Sequence, residues 1–406
     1  MILSGTNLDH GQRFNRRVVL ETVRVRQAIS RAEIARLTGL SAQTVSNIAE
    51  ALLRADLLVE KRVHDGRRGQ PPVNLAINPE GGFSIGISFD HRRIAGVLVD
   101  LAGRLRQKTE IAIDEADPEL VLRLIEGVVR ALARPRGTRR GPMLGVGIVA
   151  PALFESGSLI ALGPSSMQQW QGFPLEERLA ARFDLPVFVD NDATAAAIGE
   201  RLYGAGRTLR HFFYIYFGVG LGGGMVLSGN PYRGGHMRAG ELGHVVVEPG
   251  GRPCPCGNRG CLERYASLSS AQAAMTGRPE GAVPVDPDRL AKAHAAGNSR
   301  LLAWLDDAAM HLRQAIIGIE NLLDPQTIII GGILPETLLD DLVTRIEPLP
   351  RSVAAERRDA LPRLMKATAG IDTPALGAAS LAIFDATTAD YTMLFKRTAE
   401  PRRGSA

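Results

Sequence analysis

Apolar and polar positions fall into a pattern that runs through the body of the chain twice. FSIGISFDHRRIAGVLVDLAGRLRQKTEIAI, from Phe83, reads as a three-strand meander whose first hairpin pairs residues 83–89 with 94–99. A helical period over residues 118–133 and an apolar strand at 144–150 follow. FFYIYFGVGLGGGMVLSGNPYRGG opens a second meander. After an insertion come an amphipathic helix at 301–323 and the apolar strand TIIIGG at 327–332. Two βββαβα units in tandem predict a two-lobed α/β protein. Ligands in such folds are expected in a cleft, near strand C-termini and helix N-termini.

The first 80 residues read differently. In AISRAEIARLTGLSAQTVSNIAEALLRADLLVEKR, Ser30 and Glu33 have capping-box spacing, with Ile29 and Ile34 as the staple. Ser41 is placed to cap a second helix, with Leu40 and Val45 as its staple and Gly39 in the turn. A short helix, a turn with glycine and a longer helix make a helix-turn-helix, with Ile34, Leu37, Leu40, Val45, Ile48 and Leu52 expected on its core side. Small or polar residues (Ala42, Gln43, Thr44, Ser46, Asn47) are expected to face outward, as suits a helix in the major groove. Two strands around DGRRGQPP form a wing, with Arg67 and Arg68 at its tip for phosphates. A helical hairpin that binds protein is the alternative.

Charge suggests an anionic partner for this segment, or else a solvated surface. Residues 1–80 hold twelve Lys/Arg and eight Asp/Glu, a surplus of four in a chain whose net charge is +5. Length, 406 residues, suggests two or three domains, and the 45% hydrophobic content fits a globular protein. No apolar run approaches the ~20 residues of a membrane span, and MILSGTNLDH lacks an apolar signal core, so the expected location is cytoplasmic. Three cysteines argue against a disulfide framework.

Three motifs carry candidate chemistry. FGVGLGGG offers backbone amides that could cradle an anion, or is a purely structural turn. VDNDATAAAIGE follows a strand and opens a helix, so Asp190, Asn191 and Asp192 either point into the cleft or cap the helix. GELGHVVVEPGGRPCPCGNRGCLE places His244 just before Cys254, Cys256 and Cys261, all the cysteines of the chain within eight residues. Three thiolates and one imidazole predict a tetrahedral zinc site with no position left for water, hence a structural one.

AGELGH…CPCGNRGCLE, with DNDATAAAIGE upstream and the winged helix in front, resembles the ROK family of repressors, open reading frames and sugar kinases, over about residues 15–385. The resemblance implies an N-terminal winged helix-turn-helix (1–78) and a two-lobed actin-like/hexokinase-type (ribonuclease H-like) domain (79–386), its zinc loop near 244–261, with a tail at 387–406. It implies a sugar pocket of Asn191, Asp192, Glu241, His244 and Glu263, with Asp192 at the position of the general base of the kinases. It also implies operator DNA and a sugar or sugar-phosphate effector as partners, and a homodimer or homotetramer. The sequence departs from the kinases at the first hairpin. Ser88-Phe89-Asp90-His91-Arg92 stands in place of an Asp-x-Gly-Gly-Thr-type phosphate turn, and Val219 in place of a threonine. In GPSSMQQW, serines lie near the asparagine usual in the family, and Ser165, Ser166 and Gln168 are expected to supply other contacts. The expectation is a sugar-responsive transcriptional regulator with a degenerate ATP site and no enzyme activity; the alternative is an ATP-dependent sugar kinase.

Overall fold

A computed structural model describes residues 8–62, 73–90, 92–113, 117–134, 141–155, 158–160, 168–355, 361–370 and 372–387. The expected positions Arg67, Arg68, His91, Ser165 and Ser166 lie outside them. The described chain divides into two compact units. One takes the residues up to Gly82, together with Gly141–Pro142 and the end of the last helix from Ile383; the other takes the remainder from Phe83 to Ala382.

The first unit holds α1 (Leu8–Arg26), β1 (Ile29–Ser30), α2 (Arg31–Thr38), α3 (Ala42–Arg54), β2 (Leu58–Arg62) and β3 (Val73–Ile77). Both expected caps form: Ser30 Oγ accepts the Glu33 N–H at 3.3 Å and Ser41 Oγ the Thr44 N–H at 3.1 Å. Glu33's carboxylate lies 3.7 Å from Arg36 and does not close the capping box. Gly39 turns the chain at φ 71°. β2 and β3 pair antiparallel from Leu58↔Ile77 to Arg62↔Val73, the two sides of the wing, and β1 adds to the far edge of β3. Leu37, expected in the core, is 39% exposed, because α2 has little more than two turns and Ile34 is the residue it buries. Helix α1 was not foreseen; it is held by the single stripe Val19, Leu20 and Val23 among charged residues.

The second unit repeats one topology. The first lobe runs β4 (Phe83–Phe89), β5 (Arg93–Asp100), β6 (Leu105–Ala112), α4 (Pro118–Ala133), β7 (Met143–Ala150), β8 (Leu153–Glu155), β9 (Ser158–Ile160), α5 (Leu175–Ala180), β10 (Val187–Asn191) and α6 (Asp192–Tyr203). The second runs β11 (Phe212–Phe217), β12 (Leu221–Leu227), β13 (Asn230–Pro231), α7 (Leu268–Thr276), α8 (Pro287–Ala295), α9 (Ser299–Leu323), β14 (Thr327–Gly332), α10 (Glu336–Ile346), β15 (Leu364–Lys366) and α11 (Thr373–Thr387). The sheets have orders β10-β7-β4-β5-β6 and β13-β12-β11-β14-β15. Each is an antiparallel meander with two parallel strands added beyond its first strand. The interior strands are apolar on both faces because helices cover both.

The glycines of FGVGLGGG divide between two jobs. Gly218 and Gly220 lie in the turn, whereas Gly222, Gly223 and Gly224 lie in β12, paired with Tyr216, Ile215 and Tyr214. A Cβ on Gly222 would sit 2.8 Å from the Ala193 methyl, and one on Gly224 2.5 Å from both Ala193 O and Ala197 Cβ. Three glycines of this motif are therefore in a strand rather than at the turn, and two of them let α6 lie against the sheet.

Candidate functional site

The C-terminal ends of β4, β10 and β11 lead to one cluster of polar side chains. The first turn, after β4, closes on itself. Asp90 N–H donates to Arg93 O at 3.0 Å, and Asp90 Oδ1 accepts the N–H groups of Arg92 at 2.8 Å and Arg93 at 3.0 Å. Two amides that a bare turn would offer to an anion are thus held by the chain's own carboxylate. The second turn is also partly committed. Gly218 N–H donates to Gly220 O at 3.1 Å, Leu221 N–H to Glu263 Oε2 at 3.1 Å, and Val219 O accepts Ser269 N–H at 2.9 Å.

Asn191 and Asp192 sit where β10 passes into α6. Asn191 is the N-cap: its Oδ1 accepts the amides of Ala193 at 2.9 Å and Thr194 at 3.2 Å, and its Nδ2 donates to Ala152 O at 3.2 Å. Capping uses its oxygen, and one amide hydrogen remains for a ligand. Asp192 Oδ1 accepts Ala193 N–H at 2.8 Å, while its Oδ2 lies toward Gly218. Its carboxyl is pushed up to about 7, chiefly by burial and also by the carboxylates of Glu241 and Asp90, against the pull of the Ala193 amide. Glu241 is raised too, by burial and by Glu263, with His244 and Arg238 opposing. Glu241 therefore lies within electrostatic reach of Asp192, His244 and Glu263. Glu263 is 9% exposed, and its Oε1 has no hydrogen-bond partner among the described residues. A buried, unpartnered carboxylate oxygen beside a carboxyl that titrates near neutrality suits a neutral polyol, whose hydroxyls both donate and accept. Asp190, read as a cleft residue, is committed elsewhere: Arg233 holds its carboxylate at 2.6 Å, and its other oxygen accepts the Asn191 N–H.

The cysteine loop brings four donors together. His244 ends the 3-10 turn Leu242–His244, and Cys261 precedes the 3-10 turn Leu262–Arg264. Cys254 N–H donates to Asn258 O at 2.9 Å, and Gly257 (φ 97°) and Gly260 (φ 81°) turn the chain back. A Cβ on Gly260 would sit 1.7 Å from Glu248 O, so the return needs glycine. The four donor atoms lie within 4.8 Å of one another, with His244 Nδ1 3.7 Å from Cys254 Sγ and Cys256 Sγ 3.7 Å from Cys261 Sγ. A tetrahedral ion with ~2.3 Å sulfur arms needs donor separations of about 3.8 Å, so the donor set fits zinc. The loop is anchored to α9: Arg252 stacks 4.4 Å over Tyr265 and pairs with Asp307 at 3.0 Å, and Tyr265 lies 4.2 Å from the His311 ring.

The ROK family profile matches residues 84–384. The chain belongs to the ROK family. Among its relatives, the xylose repressor of Bacillus spizizenii is 27% identical over 92% of this chain and 95% of its own length. A glucokinase of Halalkalibacterium halodurans is 32% identical over 61% of this chain and 79% of its own. The fold is shared with a crystal structure of a ROK family transcriptional regulator, a homologue of the E. coli Mlc protein, at a TM-score of 0.73 and 24% identity over 93% of this chain and 98% of that one. The shared fold accounts for the two-lobed ROK domain and the unit in front of it.

In this ROK chain, the outward face of α3 is narrower than the pattern suggested. Gln43 and Asn47 are exposed and bond to each other, Nε2 to Oδ1, at 2.9 Å. Thr44 and Ser46 are half-buried, and the Thr44 hydroxyl is 2.8 Å from Ser41 Oγ within the cap. Motif reading missed Tyr216, whose ring lies against the Gly218 turn beside Asp192. It also missed Arg233, which neutralises Asp190. The alternation of FFYIYF, which puts Tyr214 and Tyr216 on one face, was the available signal for the first. Arg233 leaves none, since its partner lies 43 residues away in the chain. No helix among the described residues is long and apolar enough to cross a membrane.

Proposed function

We propose that the chain is a sugar-responsive repressor of carbohydrate genes, without kinase activity. It binds operator DNA through α3 and the wing, in the cytoplasm, as a symmetric dimer or tetramer. The observation that carries this reading is the first turn, where the Asp90 carboxylate holds the Arg92 and Arg93 amides and stands in the way of a nucleotide phosphate. The similarity to a xylose repressor over nearly the whole of both chains supports it and makes xylose the first sugar to try. Asn191, Asp192, Glu241, His244 and Glu263 would contact the sugar. His244, Cys254, Cys256 and Cys261 would hold a structural zinc, which fixes Glu241 and Glu263 around the ligand. His244 faces the cysteines through Nδ1, which leaves Nε2 for a hydroxyl.

One observation favours the kinase reading: a carboxyl near 7, as in Asp192, is well matched to general-base work at neutral pH. Its weakness is the missing acceptor, since a base with no phosphoryl group in line has nothing to catalyse. The pure protein is incubated with magnesium, ATP and a panel of pentoses and hexoses. The repressor reading expects no sugar-dependent ADP release; release at an enzymic rate, lost in Asp192→Asn, would overturn it.

A further inference from the structure

Outside the sugar cluster, a cavity of about 710 Å³ opens between the end of α7, the segment leading into α8, one face of α8 and the start of α9. Arg289 and Lys292 line it from α8, at the i, i+3 spacing that puts both on one face. Arg278 lines it from just beyond the α7 cap Gly277, and Met275 and Val283 supply apolar surface. Three cations and no carboxylate line the cavity.

The three cations have no carboxylate partner among the described residues. Of the nearby acids, two are engaged elsewhere, and Asp288 of α8 makes no ion pair with the three cations. Asp286 caps α8 through the Arg289 N–H at 3.1 Å, and Glu280 pairs with Arg264 at 2.7 Å. Some other basic groups in this lobe are paired: Arg363 with Glu320 at 2.6 Å, Arg345 with Asp341 at 2.9 Å, and His294 of α8 itself with Asp341 at 2.9 Å. All three are exposed, so water solvates them in the free protein, and a bound anion would offset the repulsion between Arg289 and Lys292 at i and i+3.

We propose that this cavity binds a small phosphomonoester, a sugar phosphate, at a site separate from the sugar cluster. Two guanidinium forks and an ammonium match a phosphate dianion, which carries three acceptor oxygens. The apolar surface of Met275 and Val283 suits the carbon skeleton, and the volume lies in the range of small-molecule sites. The inference does not depend on the sugar reading of the other cluster.

Calorimetry on the full chain with glucose 6-phosphate, glucose and inorganic phosphate tests it. Glucose 6-phosphate should bind more tightly than about 1 mM. R289Q/K292Q should weaken it at least ~10-fold with the melting temperature retained, and R278Q, on another element, should repeat the loss. R130Q, on α4 of the other lobe, should leave it unchanged. Four results would overturn the proposal: no saturable binding, binding that survives R289Q/K292Q, inorganic phosphate binding as tightly as the sugar phosphate, or an equal loss in R130Q. Binding that survives R289Q/K292Q would assign the phosphate to another site.

Discussion

A carboxyl that titrates near neutrality changes charge across the ordinary working range, and Asp192 is such a group. Its ordinary value is 3.8 and its folded value about 7, so the folded state favours the protonated form. The stability this gives is fully present below about pH 4 and is lost as pH rises through 7. Asp192→Asn keeps the shape and never ionises. The variant's melting temperature should therefore gain on the wild type from about pH 4 to pH 7 and hold its lead above. A difference that stays flat with pH would mean that Asp192 is well solvated. Asp90 acts by another route: its carboxylate already holds two amides, at 2.8 and 3.0 Å, and so withholds them from any other anion.

At the scale of elements, the apposition of α6 and β12 depends on the absence of side chains. Gly224→Ala would drive a methyl to 2.5 Å from the Ala193 carbonyl, which is backbone and can move only with the helix. A loss of about 1–3 kcal/mol in chemical denaturation is expected. Gly235→Ala, with open space around it, should be near neutral. Because α6 begins with Asp192, sugar affinity should fall with Gly224→Ala as well. Helix α3 has its own test. Gln43 and Asn47 hold each other, so removing either frees its partner. Each single change to Ala should cost about 1–3 kcal/mol of operator binding. The double change should cost less than the sum, which a double-mutant cycle reads directly. Full additivity would show that the pair does not contact DNA as a unit.

Over the whole molecule, the proposed zinc and sugar sites have His244 in common, and Glu263 lies two residues after Cys261. Cys256→Ser should bring metal content well below one zinc per chain, as measured by elemental analysis. It should also abolish the effect of sugar on DNA binding. In the wild type that effect should be about 5- to 150-fold in operator affinity, the usual size of coupling between two sites. A variant that lost zinc yet still answered to sugar would separate the metal from the response.

The sequence by itself determined most of the elements that frame the site, though not α1, and the local chemistry. Caps at Ser30 and Ser41, the strand Thr327–Gly332 and the converging cysteines depend on neighbours a few residues apart, and spacing reports such neighbours. The doubled topology was legible because each repeat shows its own hydrophobic period. Tertiary structure decided what the polar residues are free to do. Asp190 has the same side chain as Asp192 two residues on, yet Arg233 pairs with it from another part of the fold. Glycines that looked like a phosphate cradle proved in part to be clearance for α6. Arg278, Arg289 and Lys292 became a candidate site only when three elements met around one cavity. Burial and partnership set a charge's energy, and both come from residues that the chain brings near only by folding.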